Sequence, residues 1–144
     1  MRPIVTLLLL AFAGALWAQE VGQVKVAKGG VQVERAGQRM PVAVGMGVRQ
    51  ADTLLTGADG SVGVTFSDNS LLSAGPNSTL TIDRYAFDST SHTGQFDTSL
   101  RRGSLAVISG KMVKQSPGAM RVRTPSTVLG VRGTEFVVRV GEGG

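Results

Sequence analysis

Apolar residues recur at every second position in short runs along the chain: Val24 and Val26, Val31 and Val33, Val62, Val64 and Phe66, Leu80 and Ile82, Leu105 and Val107, and Phe136, Val138 and Val140. That period places each set on one face of a half-buried strand. Turn formers separate the runs at short intervals: Gly29-Gly30, Ala36-Gly37, Asp59-Gly60, Asp68-Asn69, Gly75-Pro76-Asn77, Arg102-Gly103, Ser116-Pro117-Gly118 and Gly130 to Gly133. Strands and turns at this spacing predict an all-β fold, a single compact sandwich or roll of short antiparallel strands. No window sustains helical spacing over three turns, and Gly47 to Thr56 reads as a loop entering a strand. Phe87 to Leu100, rich in Ser and Thr, reads as a long solvated connection or a ragged hairpin, and as the most mobile region. Gly60 to Phe66 and Gly103 to Ser109 share a Gly-Ser start and an apolar alternation, which is compatible with a duplication but falls short of the repeated unit a solenoid needs.

The first eighteen residues follow another rule. One positive charge at Arg2 precedes an uncharged stretch from Ile4 to Leu16, and Ala-Leu-Trp-Ala closes at Ala18 before Gln19-Glu20. This is the pattern of a cleaved signal peptide over residues 1–18, because the run is shorter than the roughly 20 apolar residues that span a bilayer. An uncleaved anchor is the alternative. Either way the body, residues 19–144, is expected outside the cytoplasm, periplasmic or secreted. A chain of 144 residues with 42% apolar content and 17% charge is hydrophobic enough to fold and can bury a core unaided.

Charge is unevenly spread. Residues 51–97 carry six acids and one base, whereas residues 101–140 carry eight bases and one acid, Glu135. Either the two segments attract one another within one body, or the basic segment forms an anion-facing surface. For the second case the expected partner is an envelope protein or a glycan with an acidic surface. Nucleic acid is not expected, since no aromatic residue is interleaved with the basic cluster for base stacking.

Much chemistry is absent. With no Cys there are no disulfides, thiolate metal sites or cysteine nucleophiles. The one His, His92, sits in the Ser/Thr-rich stretch, and no Gly-x-Ser-x-Gly elbow occurs. Gly110-Lys111 fails as a phosphate loop: Gly103 is too far upstream, Met112 replaces the hydroxyl residue, and no helix is expected to follow. The Asp residues lack calcium-loop spacing and are expected to cap turns, as at Asp59-Gly60 and Asp68-Asn69. Asn77-Ser78-Thr79 has the form of a glycosylation triplet, but Gly75-Pro76 before it makes Asn77 a turn residue. No catalytic residue, metal site or cofactor is expected.

One long stretch is more specific. Ala51-Asp52-Thr53-Leu54-Leu55-Thr56-Gly57 through Asp68-Asn69-Ser70, then Gly75-Pro76-Asn77-Ser78-Thr79-Leu80, Arg102-Gly103-Ser104-Leu105, and the closing Arg123-Thr124-Pro125-Ser126-Thr127-Val128-Leu129-Gly130-Val131-Arg132-Gly133-Thr134-Glu135-Phe136, resembles the FecR domain family from about Gly22 to Val140. The resemblance implies an extracytoplasmic β-rich domain, found in regulators that relay receptor occupancy to an anti-sigma system and as a module of envelope proteins. Those regulators place a cytoplasmic sigma-binding region and a membrane helix before the domain. A signal peptide stands there in this sequence, so anti-sigma activity does not carry over. Asp68-Asn69-Ser70 replaces the family's Asp-Gly-Ser turn, and Asn is the next best residue at positive φ.

In the closing motif, Gly130 and Gly133 permit a sharp reversal around Val131-Arg132, and Pro125 ends the preceding strand, Met120 to Thr124. Arg132 and Glu135 either pair or cap turns beneath the sheet, or leave Arg132 for a ligand. The candidate binding residues are Arg121, Arg123, Arg132 and Thr134. The function expected first is a non-catalytic binding or scaffolding module of the bacterial envelope, acting through an exposed sheet edge or the basic C-terminal face. A periplasmic component relaying receptor state to a membrane-spanning regulator comes second, and a small cell-wall hydrolase dependent on His92 last.

Overall fold

The computed structural model describes residues 19–141. The signal-peptide expectation falls on residues 1–18 and lies outside them. Twelve strands follow in order: β1 (Glu20–Lys28), β2 (Val31–Arg35), β3 (Gln38–Pro41), β4 (Gly47–Arg49), β5 (Thr53–Thr56), β6 (Ser61–Phe66), β7 (Leu71–Ala74), β8 (Thr79–Phe87), β9 (Gly94–Ile108), then β10 (Met120–Arg123), β11 (Val128–Gly130) and β12 (Glu135–Val140), with one short helix, α1 (Lys111–Gln115), after β9. The expected all-β fold is present. The helix corrects one expectation: a turn of helix does follow Gly110-Lys111, with Met112 and Val113 buried against the sheets.

All twelve strands belong to one continuous sheet, folded back on itself through β9. The C-terminal half of β9 lies between β7 and β12 in a half-sheet ordered β4-β1-β6-β7-β9-β12, here sheet A. Its N-terminal half lies between β8 and β10 in the other, ordered β3-β2-β5-β8-β9-β10-β11, here sheet B. Pairing is antiparallel except between β9 and β10, which run parallel. That departs from the expected antiparallel set, because the chain returns to β10 through α1 and so arrives in the direction in which β9 ran.

At fifteen residues β9 is also not a short strand, and it works by changing phase. Phe96, Thr98 and Leu100 face the core at even positions, whereas Leu105 and Val107 face it at odd ones. The register against β8 slips where Thr79 opposes Arg102 and Leu80 opposes Leu100, so one extra residue reverses the alternation. Beyond the slip, Gly103 takes φ +97°, and a Cβ there would collide with Ser78. The Phe87–Leu100 stretch is therefore a hairpin with a turn over Asp88–Thr93, and its second arm is core strand.

A similar slip corrects the pairing of Val24 with Val26. The β1–β6 register shifts between them, leaving Val24 1% exposed and Val26 42% exposed on opposite faces. The other alternating sets face inward as expected. Between the halves, Phe66 of β6 meets Tyr85 of β8 and Phe96 of β9 with ring centroids 5.4 and 4.7 Å away, an aromatic cluster that ties sheet A to sheet B.

Three substitutions test this arrangement. Gly103→Ala should destabilise by about 3 kcal/mol, since it adds both strain and a clash. Gly37→Ala, at φ +80° with open space around it, should cost only about 1 kcal/mol. Thr98 is 1% exposed and its hydroxyl has no partner, so the near-isosteric Thr98→Val should stabilise by about 1 kcal/mol. Denaturant midpoints of the three variants check all of this.

Candidate binding surface

The C-terminal segment is held in place by a buried carboxylate far away in sequence. Asp68, fully buried in the β6–β7 turn, accepts hydrogen bonds from Ser70 N–H at 3.1 Å and Ser70 Oγ at 2.8 Å, which close the turn on Asn69 at φ +73°. The Tyr85 hydroxyl donates to Asp68 Oδ1 at 3.1 Å and accepts from the Asp68 N–H at 2.9 Å. Burial raises the Tyr85 pKa, so the phenol keeps its proton for that bond. The first turn of α1 completes the set: Met112 N–H donates to Asp68 Oδ2 at 3.3 Å and Lys111 N–H to the Asp68 carbonyl at 2.8 Å. The carboxylate and the carbonyl of one residue in another turn thus satisfy two helical N–H groups that the helix itself leaves unpaired.

Asp52 does related work. Its carboxylate receives Arg35 through both oxygens at 2.9 and 2.7 Å and the Arg49 N–H at 2.9 Å, while Arg35 also reaches the Gly47 carbonyl at 3.0 Å. Hydrogen bonding to Asp52 raises the pKa of Arg35 further. Asp59 accepts from Gly30 N–H and Asp88 from Thr90 and Ser91 N–H, the latter bonds lowering the Asp88 pKa. Asp83 accepts from Ser99 Oγ, and Asp97 pairs with Arg121 at 3.1 Å. Every acid of residues 51–97 is thus taken up, and Asp97–Arg121 is the one described ion pair that joins the acidic segment to the basic one.

The candidate residues all lie on the surface. Arg121 and Arg123 stand two apart on β10 and share the outward face of sheet B, with Arg121 engaged by Asp97 and Arg123 opposite Ser99. The β10–β11 turn is closed by Thr124 N–H donating to the Thr127 carbonyl at 2.8 Å. After β11, Val131 turns into the core and donates its N–H to the Met120 carbonyl at 2.9 Å, leaving Arg132 exposed. Gly133 at φ +91° and Thr134 give their carbonyls to Ser109, at 2.7 Å from its Oγ and 2.8 Å from its N–H. Arg132 and Glu135 are both exposed, and among the described residues neither makes an ion pair, so the expected pairing beneath the sheet does not form.

His92 stacks on Phe87 at 6.0 Å in the exposed β8–β9 turn, and its neighbours Ser91 and Thr93 bond each other at 2.7 Å. Among the described residues no cluster of metal-ligating side chains occurs, and no helix is long and apolar enough to cross a membrane.

Residues 52–144 match the family model described as FecR protein. The chain belongs to the FecR family. The match takes in strands β5 to β12, from both halves of the folded sheet, together with the closing motif, while β1 to β4 precede it. No curated protein matches the chain. A solved structure titled cell surface anchoring domain is similar, at 29% identity over 42% of this chain and 82% of that one, with a TM-score of 0.41.

The Asp68 junction in this FecR domain is not visible in any local pattern. Asp68-Asn69-Ser70 reads as a turn, whereas its bonds to Tyr85 and Met112 join residues 17 and 44 positions apart. Asp68→Ala should cost about 3 kcal/mol and Tyr85→Phe about 1.5 kcal/mol. In an Asp68→Ala background the Tyr85→Phe cost should fall by at least half, and a double-mutant cycle from urea melts measures that coupling.

Proposed function

We propose that this FecR domain is an exported, non-catalytic binding module of the bacterial envelope that holds an acidic envelope protein or glycan through its C-terminal basic segment. Residues 19–144 are read as the mature body and residues 1–18 as the signal that exports it, to the periplasm or beyond. Family membership supports an extracytoplasmic, regulatory kind of domain. The observation that carries the reading is the state of the charges. The acids of residues 51–97 are absorbed by turns, by Ser99, by Arg35 and by Arg121, while Arg123 on β10 and Arg132 before β12 are exposed without a described partner. Cations held that way keep their solvation in the free protein and exchange it for an anion on binding. Thr134, exposed beside Arg132, offers a hydroxyl to the same ligand.

The test is capture from envelope extract on immobilised domain. A specific partner should be recovered and lost with Arg123→Glu/Arg132→Glu, with recovery falling steeply as salt rises. Arg121→Gln, whose side chain is already engaged by Asp97, should weaken capture less. Equal recovery by all forms overturns the assignment to the basic segment. Protease and glycosidase treatment of the extract distinguishes a protein from a glycan partner.

A further inference from the structure

The sheet has four strands with an open side, and they differ in how they are protected. β4 and β11 are three residues long, and β3 is four residues ending in Pro41. β12 is six residues, Glu-Phe-Val-Val-Arg-Val, without Gly, Pro or Lys, and no described strand pairs with its far side. Long unblunted edges of this kind are pairing sites.

The direction of its free groups follows from one bond. Ser109 N–H donates to the Thr134 carbonyl at 2.8 Å, so even-numbered residues of β12 turn their main-chain groups to β9, and Glu135, Val137 and Arg139 turn theirs to the open side. The same three side chains stand on the outer face, with Val137 60% exposed, while Phe136, Val138 and Val140 face inward. On the inner side an open cleft of about 240 Å³, lined in part by Thr124, Thr127 and Leu129, separates β12 from the β10–β11 turn.

We propose that β12 pairs with β12 of a second copy of this chain, antiparallel and two-fold about Val137. The charges select that occupant and register. Glu135 and Arg139 lie roughly 13 Å apart along their own strand and cannot meet within one chain. Antiparallel pairing about Val137 sets Glu135 opposite Arg139 of the partner subunit, twice, with Val137 against its own copy between them. It also matches the outward N–H and C=O groups in about six main-chain hydrogen bonds. Centring the pair on Phe136 or Val138 instead puts each charge opposite Val137 or off the strand. On the outer face, Val137 opposes Ala106 of β9, and one pair further along Ile108 of β9 opposes Leu71 of β7, at 41% and 37% exposure.

Sedimentation equilibrium of the exported chain, purified as the cell processes it, tests the proposal. The wild type should show a concentration-dependent monomer–dimer equilibrium. Glu135→Arg and Arg139→Glu should each weaken it about tenfold or more, because two attractive cross-strand pairs become repulsive. The two variants mixed, and the double variant Glu135→Arg/Arg139→Glu, should recover it. Melting temperatures of the variants confirm that each is folded. Since the chain has no Cys, register can be read directly: oxidised Val137→Cys should give a covalent dimer and Glu135→Cys should not. A wild type that stays monomeric at the highest attainable concentration, or dimerisation indifferent to both charge reversals, overturns the proposal. Neither outcome touches the basic-segment reading, which rests on Arg123 and Arg132.

Discussion

The structure depends on one strand serving two half-sheets. β9 pairs with β8 and β10 along its first half and with β7 and β12 along its second, and the core lies between those halves. A strand with unbroken alternation could not do this, because the side chains that face the core in one half would face solvent in the other. The extra residue near Arg101-Arg102 and the positive φ of Gly103 resolve the conflict. Ser78 holds the crossing from the other side: its Oγ accepts from Ser104 N–H at 3.0 Å, in the space a Cβ on Gly103 would need. The Arg-Gly-Ser run is therefore a structural hinge point, whose glycine is required by close approach as much as by φ.

Buried carboxylates finish what the strands begin. Asp68 and Asp52 are each buried at a turn, and each is satisfied by main-chain N–H groups together with one side chain from another strand, Tyr85 or Arg35. Such groups cost desolvation and return it only when every bond is made, so they define one arrangement of turns rather than adding much net stability. Asp68 extends that definition to the start of α1, which in turn sets where β10 begins and hence its parallel register on β9. The exposed Arg residues of β10 and of the loop before β12 inherit their placement from a carboxylate 44 positions before Met112.

How much of this could be read in the sequence follows from the range of each interaction. The strands with uninterrupted alternation, such as Val62 to Phe66 and Phe136 to Val140, and the positive-φ turns at Asn69, Asn77 and Gly133 are local, and their residues state them. Alternation fails as a guide where a bulge reverses phase: it places Val26 beside Val24 on one face, and it breaks β9 into an apolar end and a Ser/Thr-rich stretch that looks solvated although Phe96 and Leu100 are fully buried. The parallel β10 and the five-residue helix are outcomes of tertiary packing, since α1 is too short to form alone and is anchored by Asp68. For the surface, charge composition marks the basic segment but does not state the fate of Arg132. Whether it meets Glu135 depends on the reversal at Gly133, which sends the chain from the edge of sheet B to the edge of sheet A.

The uneven charge of the sequence acquires a definite meaning from the pairing pattern. Two oppositely charged segments in one chain would ordinarily neutralise each other across the body, and little net field would remain on the surface. Here Asp52, Asp59, Asp68 and Asp88 lie at turns, met by N–H groups, a hydroxyl and Arg35, Asp83 on β8 accepts from Ser99, and a cation from the basic segment meets just one acid, Asp97. A carboxylate held by neutral N–H and hydroxyl donors keeps its charge but makes no direct ion pair with an arginine. The acidic and basic segments thus meet in one ion pair among the described residues, and Arg123 and Arg132 stand exposed outside it because the earlier turns hold the other carboxylates elsewhere.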